Sequence, residues 1–367
     1  MALKNSIFLR GIFTIGCLYS ACYLLACATP FISPVHGYFF SFASLFFPFI
    51  LLGMIGWVLL SFLFYRRWFL LFLFCLAAGY QNISAIFGFH PTQHYSQKKM
   101  AGNIRILSWN VNSFLTGSNK TNAKVLEMMS LIKSSDADIL CFQDYSVNKN
   151  ETVNTSPEFI SQSTQLKHVF FSKTGENYGV IIFSRWPFVQ QCNVPYSNID
   201  SPENLAYVDI QTPYKVLRVY NTHLSSMNMH VPINNMPNSV PIKSIYYDKA
   251  ILLQKSKLSR LAYFDKLHTK QGFLIKKSLD STALPFVFTA DLNAVPSSHV
   301  YHTISEGLSD AFLLKGFGFG RTYDSLSPTL RIDVLLTNQL VKVKQFKVAR
   351  VHLSDHFPII SDIQINP

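Results

Sequence analysis

The first 95 residues contain no Asp or Glu and only four Lys or Arg: Lys4, Arg10, Arg66 and Arg67. A stretch this long with so few charges cannot furnish the polar surface of a water-soluble domain, so it belongs in a different solvent. Three apolar runs fill it, about Ile7 to Ile32, Gly37 to Tyr65 and Trp68 to Phe89. Each is long enough to cross ~30 Å of hydrocarbon at ~1.5 Å per helical residue, and the pattern predicts three transmembrane helices.

A cleaved secretory signal is the rival reading of the first run, because Leu24-Leu25-Ala26-Cys27 has the look of a lipoprotein cleavage site. The two runs that follow hold the chain in the bilayer in either case. Orientation follows from the few cations. Lys4 and Arg10 flank the first run, Arg66 and Arg67 occupy the second connection, and the first connection, Ser33 to His36, has neither Lys nor Arg. The positive-inside rule then places the N-terminus and the Arg pair in the cytoplasm. Three crossings deliver the rest to the non-cytoplasmic side, periplasmic or extracellular, with Lys98 and Lys99 weighing against. Four of the six cysteines lie in the apolar runs and Cys141 sits in a strand-like segment, so cysteine usage does not identify the compartment.

Residues 96–367 hold all 20 acidic and 28 of the 32 basic residues, a net charge of +8. No linker composition divides them, and they read as one domain after a membrane anchor of residues 1–95. Strand-like runs recur at Ile104 to Val111, Ile139 to Gln143, Val180 to Ser184, Ala206 to Ile210, Val216 to Thr222, Phe286 to Ala290, Ile332 to Thr337 and Phe357 to Ile363. Helical spacing marks Lys124 to Ser134 and Ser244 to Leu267. Helices falling between strands predict an α/β or α+β sandwich.

Several strands end in a residue able to do chemistry: Asn110, Asp144, His223, Asp291, Asp333 and the pair Asp355-His356. Singly, each Asn or Asp is more often a turn or a helix cap. Together they suggest one shared rim, where the sheet holds the backbone and solvent reaches the side chains. Four carboxylates there repel one another unless a cation or a histidinium compensates. Oxygen donors without thiolates favour Mg²⁺ or Mn²⁺, which also takes a phosphate oxygen. With Asp333 on its Nδ1, His356 can accept a proton from water attacking phosphorus. Asn110, Asn293 and His223 can donate to the phosphoryl oxygens.

ILSWNVN (106–112), ADILCFQD (137–144), YGVIIFSRWPF (178–188), VYNTHLSS (219–226), FTADLNAVPSS (288–298), RIDVLLTN (331–338) and LSDHFPI (353–359) resemble, in order, the motifs of the Mg²⁺-dependent endonuclease/exonuclease/phosphatase superfamily. The resemblance implies a DNase I-like, four-layered α/β sandwich of two packed β-sheets flanked by helices, here preceded by three transmembrane helices. It implies that Asn110, Asp144 and Asp355 approach the metal. Asp291 would orient the nucleophile or assist the leaving group, Asn293 and His223 would contact phosphate, and Asp333 would orient His356. Asp144 stands where the family usually has Glu, Ala290 where Gly is usual, and Asn112 where some nucleases carry Asp. The shorter Asp144 predicts weaker hold on the metal.

Related sites cut DNA, RNA tails, inositol phosphates and sphingomyelin-type lipids, so the fold does not choose the substrate. The anchor raises the local concentration of lipid head groups. A phosphodiesterase acting on lipids is therefore the expectation, a nuclease outside the cytoplasm the alternative, and a non-hydrolytic binding module with a decayed site the reading from another class. The uncharged, Met- and Pro-rich segment Met227 to Pro241 reads as a surface loop with scattered Met or, more sharply, as a lid or a membrane-touching loop. The bilayer is the expected partner, and no obligatory protein partner is inferred.

Overall fold

The computed structural model describes residues 2–115, 121–147, 155–174, 178–196, 203–227, 257–325 and 327–366. It opens with four helices, α1 (Ala2–Cys27), α2 (Tyr38–Phe64), α3 (Arg66–Ala78) and α4 (Tyr80–Ile86). Phe8–Cys27 and Phe39–Phe64 are long and apolar enough to cross a membrane. Their outward faces are apolar, with Leu18, Phe49, Leu59 and Leu63 exposed, as suits a lipid solvent rather than water.

The third apolar run differs from expectation, because the chain bends by 57° between α3 and α4. Thirteen residues of α3 reach only ~20 Å, short of the ~30 Å of a hydrocarbon core, so a third crossing takes α3 and α4 together as one bent span. The break falls at Gly79, where the Tyr23 phenol lies so close that no Cβ fits. The same phenol donates to the Leu76 carbonyl at 3.0 Å, filling the end of the ladder that the bend opens.

Beyond the anchor the strands are β1 (Gly88–Phe89), β2 (Ile104–Asn110), β3 (Ile139–Ser146), β4 (His168–Lys173), β5 (Tyr178–Ser184), β6 (Phe188–Pro195) and β7 (Asn204–Gln211). They continue with β8 (Val216–His223), β9 (Phe286–Asp291), β10 (Ser309–Asp310), β11 (Phe317–Gly318), β12 (Asp333–Thr337), β13 (Val341–Val348) and β14 (Ile359–Ile365). Helices α5 (Thr121–Ser134), α6 (Pro157–Thr164), α7 (Lys257–Asp280), α8 (His299–Ser305) and α9 (Ala311–Lys315) lie between them. The expected helix from Ser244 is described from Lys257 on, and residues 244–256 lie outside the described residues.

Two six-stranded sheets result, ordered β13-β14-β2-β3-β5-β4 and β10-β12-β9-β8-β7-β6. Strand alternation builds the layers. Ile104, Ile106 and Ile139 of one sheet meet Val208, Val219, Val287 and Leu335 of the other in a fully buried core. The intervening Leu107, Trp109 and Leu140 face outward against Val125, Met128, Met129 and Ile132 of α5. On the other flank Tyr220, Phe288 and Val334 pack with Ile275 and Leu279 of α7 and Val300 of α8. Helix, sheet, sheet and helix make the four-layered sandwich that the motifs implied.

The N-terminal helices are joined to this sandwich by more than their chain connection. Ala85 of α4 belongs to the outer core of the second sheet, and its carbonyl accepts from the buried Arg331 guanidinium at 2.8 Å. Strand β1 pairs with β11. The Thr29 hydroxyl donates to the Ser297 carbonyl at 2.8 Å, and the Ser297 hydroxyl to the Ser44 carbonyl at 2.6 Å. His299 Nδ1 lies 2.8 Å from the Pro30 carbonyl. The connection between α1 and α2 is therefore at the same end of the anchor as the sandwich.

Candidate active site between the sheets and the anchor

Two parallel strand pairs bring the candidate residues to one rim. In the first sheet β2 runs parallel to β3, aligning Asn110 with Gln143, so Asp144 follows one residue on. In the second, β8 runs parallel to β9 and aligns His223 with Asp291, while β12 pairs antiparallel and places Asp333 opposite Asp291. His356 comes from the turn before β14, held by a bridge to Tyr323 and by the Trp109 indole N–H donating to its carbonyl at 2.8 Å.

Asp144 is aimed by the backbone. A bulge between Phe142 and Tyr145 interrupts the pairing of β3 with β5, and Asp144 takes a left-handed φ of 48°. Such a bulge adds a residue to one strand and turns its side chain away from the regular alternation. Asn112 and Asn293 are also left-handed, at φ 44° and 46°. Asn and Asp tolerate that conformation better than branched residues do.

The side chains interlock. His356 Nδ1 is 2.9 Å from Asp333 Oδ2, and its Nε2 is 3.6 Å from Asp291 Oδ2. Asp291, wholly buried, accepts from Asn110 Nδ2 at 2.8 Å and from the Asn293 backbone N–H at 2.9 Å. His223 Nε2 stands 3.5 Å from Asp291 Oδ2 and 3.0 Å from Asn293 Nδ2. Asn112 Nδ2 donates to Asp355 Oδ1 at 3.0 Å, and the Ser113 hydroxyl to Asp144 Oδ1 at 3.2 Å. Asn110, Asp144, His223, Asp291, Asn293, Asp355 and His356 all line one cavity of about 240 Å³, with Asp333 behind His356. All eight residues singled out in the sequence thus meet in one place.

Charge balance follows from burial. Burial opposes the His356 cation, but Asp333 and Asp291 outweigh it and push the imidazole up to about 10. For His223 burial again opposes, and Glu203, Asp291 and Asp144 hold it above its ordinary value. Burial raises Asp144, with Asp355 adding to the rise. Burial also lifts Glu203 to about 7. The Tyr178 phenol, raised by burial and by Asp144, stays neutral 3.4 Å from His223 Nδ1.

This donor set suits a hard divalent cation. Asp144 and Asp355 face each other electrostatically in a desolvated site, and the partners of Asp144 there include neutral hydroxyls. Asn110 has its amide N–H on Asp291 and its Oδ1 on the Asn112 N–H at 3.0 Å. Every ligand atom on offer from these residues is oxygen, the preference of Mg²⁺ and Mn²⁺. Among the described residues Asp291, Asp333 and His356 also form a group that could hold a metal ion, with ligand atoms all within 4.8 Å of one another. That trio was expected to handle protons rather than metal.

Several contributors escaped the sequence reading. Glu203 and Tyr178 lie beside His223, and Tyr323 packs its ring on His356 at 4.9 Å. Tyr178 opens one of the recognised motifs, whereas Glu203 has no local pattern around it. The larger omission is the opposite wall. Ser41, Ser44 and Leu45 of α2, with Leu261 and Asp265 of α7, complete the cavity. Of Met227 to Pro241 only Met227 is described, and it also lines the cavity; the remainder lies outside the described residues.

Residues 107–356 match the Endonuclease/Exonuclease/phosphatase family, and residues 6–86 match a domain of unknown function. No curated protein matches the sequence. Solved structures share the fold at low identity. The human nocturnin catalytic domain is 14% identical with a TM-score of 0.52, covering 76% of this chain and 99% of its own. A family protein from Bacteroides thetaiotaomicron is 14% identical with a TM-score of 0.51, covering 71% and 94%. A humanized D. rerio TDP2 is 15% identical with a TM-score of 0.50, covering 72% and 100%.

Proposed function

The chain belongs to the endonuclease/exonuclease/phosphatase family, and on that premise we propose that it is a membrane-anchored, Mg²⁺-dependent phosphodiesterase acting on lipid head groups. Members of the family are phosphoester hydrolases, so the reaction class follows from membership. The choice of lipid rests on one observation: helix α2 of the anchor supplies Ser41, Ser44 and Leu45 to the same cavity as Asp291 and His356. A substrate in that cavity touches the anchor while its phosphorus meets the rim.

In this reading Asn293 and His223 donate to the phosphoryl oxygens, whose charge shifts in the transition state. His356 Nε2 accepts a proton from the attacking water, and Asp333 fixes the ring through Nδ1. Acting as base requires that His356 first lose the proton its carboxylate neighbours hold on it. Asp291 orients the water, itself held by Asn110 and the Asn293 N–H. The O–P bond forms as the P–O bond to the leaving group breaks, and that oxygen takes up a proton. A divalent cation held by Asp144, Asp355 and Asn110 Oδ1 would stabilise the phosphoryl charge.

The domain side is proposed to be non-cytoplasmic. The α1–α2 connection touches the sandwich, and Arg66-Arg67 lie past the other end of α2. The positive-inside rule assigns the Arg end to the cytoplasm. A nuclease is the second reading, favoured by the net charge of +8 on residues 96–367. The deciding experiment incubates the full chain in lipid nanodiscs with phospholipids and with single- and double-stranded oligonucleotides, with Mg²⁺ or chelator. Metal-dependent release of lipid products supports the reading; cleavage of oligonucleotides alone overturns it.

A further inference from the structure

The anchor side of the cavity contains a carboxylate that the reaction does not use. Asp265 on α7 is 4% exposed, lines the cavity, and lies one helical turn from Leu261 on the same face. Its carboxyl faces the Ser41 hydroxyl of α2. Ser41 is 1% exposed, also lines the cavity, and beyond the Asp265 carboxyl beside it its oxygen meets no hydrogen-bond partner among the described residues. Among those residues the titratable side chain whose charge offsets Asp265 is His299, which also touches the anchor through Pro30. A desolvated carboxylate with a single hydroxyl beside it, both facing a cavity, is costly unless a ligand supplies further donors.

Charge decides which donor. The rim already provides donors for a phosphate, His223 and Asn293, and the carboxylates that would hold a cation beside it. Asp265 in the same cavity repels any further anion, so a polynucleotide, with a phosphate on each side of the scissile one, is disfavoured there. A cation attached close to a single phosphate is favoured. We propose that Asp265 and Ser41 form a subsite for the ammonium group of a zwitterionic phospholipid, with Leu45 and Leu261 against its carbon skeleton. This subsite rests on the lipid reading above and narrows it to aminophospholipids.

The test uses the full chain in nanodiscs that contain either phosphatidylethanolamine or phosphatidylglycerol as the hydrolysable lipid, following release of either head-group product. The wild type is expected to prefer the ethanolamine lipid by about 10-fold in kcat/KM, which corresponds to one ion-pair-like contact of ~1.4 kcal/mol. Asp265→Asn should bring that ratio close to one, chiefly through KM, and Asp265→Glu should restore part of it. A ratio unaltered in Asp265→Asn overturns the subsite while the lipid reading stands. Oligonucleotide cleavage without lipid turnover overturns both. Should the Asn variant not fold, inhibition of the wild type decides: O-phosphoethanolamine should inhibit about 10-fold more strongly than glycerol phosphate, and equal inhibition refutes the proposal.

Discussion

The cavity has two walls built on opposite terms. On the rim wall every candidate group is tied to another: Asp291 by two donors, His356 by Asp333, Asp355 by Asn112. On the anchor wall the Ser41 hydroxyl has only the Asp265 carboxyl beside it, and Asp265 has no ion pair with Lys or Arg among the described residues. The rim is organised in advance for one reaction, which costs no reorganisation when charge develops. The anchor wall is arranged to be completed by something that enters. That difference separates residues that should govern rate from those that should govern choice of substrate.

The largest effect should come from breaking the rim. His356→Ala is expected to lower kcat about 10³-fold, ~4 kcal/mol, on a lipid and on a soluble phosphodiester alike. A loss confined to the lipid would erase the distinction between the walls. The same variant also tests whether the chain is only a binding module, which would lose no hydrolysis.

Next in size is a cost of assembling the rim. Glu203 is lifted from an ordinary 4.5 to about 7 by burial. A carboxyl raised on folding contributes most below its unfolded value, and that contribution is lost as pH rises from about 4.5 through about 7. Replacing it with Gln should remove up to about 3 kcal/mol of this pH dependence, read by denaturant unfolding at pH 5 and pH 8. Identical slopes in both proteins would mean the carboxyl is not desolvated.

Smaller still is the metal effect of the short side chain. Asp144→Glu should lower the half-saturating Mg²⁺ concentration about 10-fold, ~1.4 kcal/mol, if the bulge at Asp144 does not make up the lost methylene. An unchanged requirement would show that the left-handed backbone delivers the carboxylate fully. The smallest change joins the walls. Ser297→Ala removes the 2.6 Å bond to the Ser44 carbonyl and should cost about 1 kcal/mol of thermal stability. It should also weaken lipid turnover more than soluble turnover, since Ser297 lies four residues beyond Asn293.

The rim was legible because its residues recur at strand ends in a fixed order, and a strand's side-chain alternation is a local property of the chain. His356, Asp333 and Asp291 could be named from such local patterns, although they lie far apart in sequence. Edge and short strands were less legible. β4, β6 and β13 went unread, since His168–Lys173 and Phe188–Pro195 are half exposed and mix polar with apolar residues. The bend at Gly79 was equally hidden, because it answers to Tyr23, 56 residues earlier.

Taken alone, the sequence determined that the first 95 residues hold helices apolar enough to cross a membrane and that the remainder makes a sandwich with an acidic, histidine-bearing rim. Those conclusions rest on composition and short-range periodicity, which survive without knowledge of what packs on what. Only the tertiary structure decided that the N-terminal helices line the candidate site. Ser41 and Ser44 look like ordinary small residues of an apolar helix, and Asp265 like one charge on an amphipathic one. Their meaning arises when α2 and α7 close the cavity over His356, a contact between segments more than 200 residues apart that no local pattern encodes.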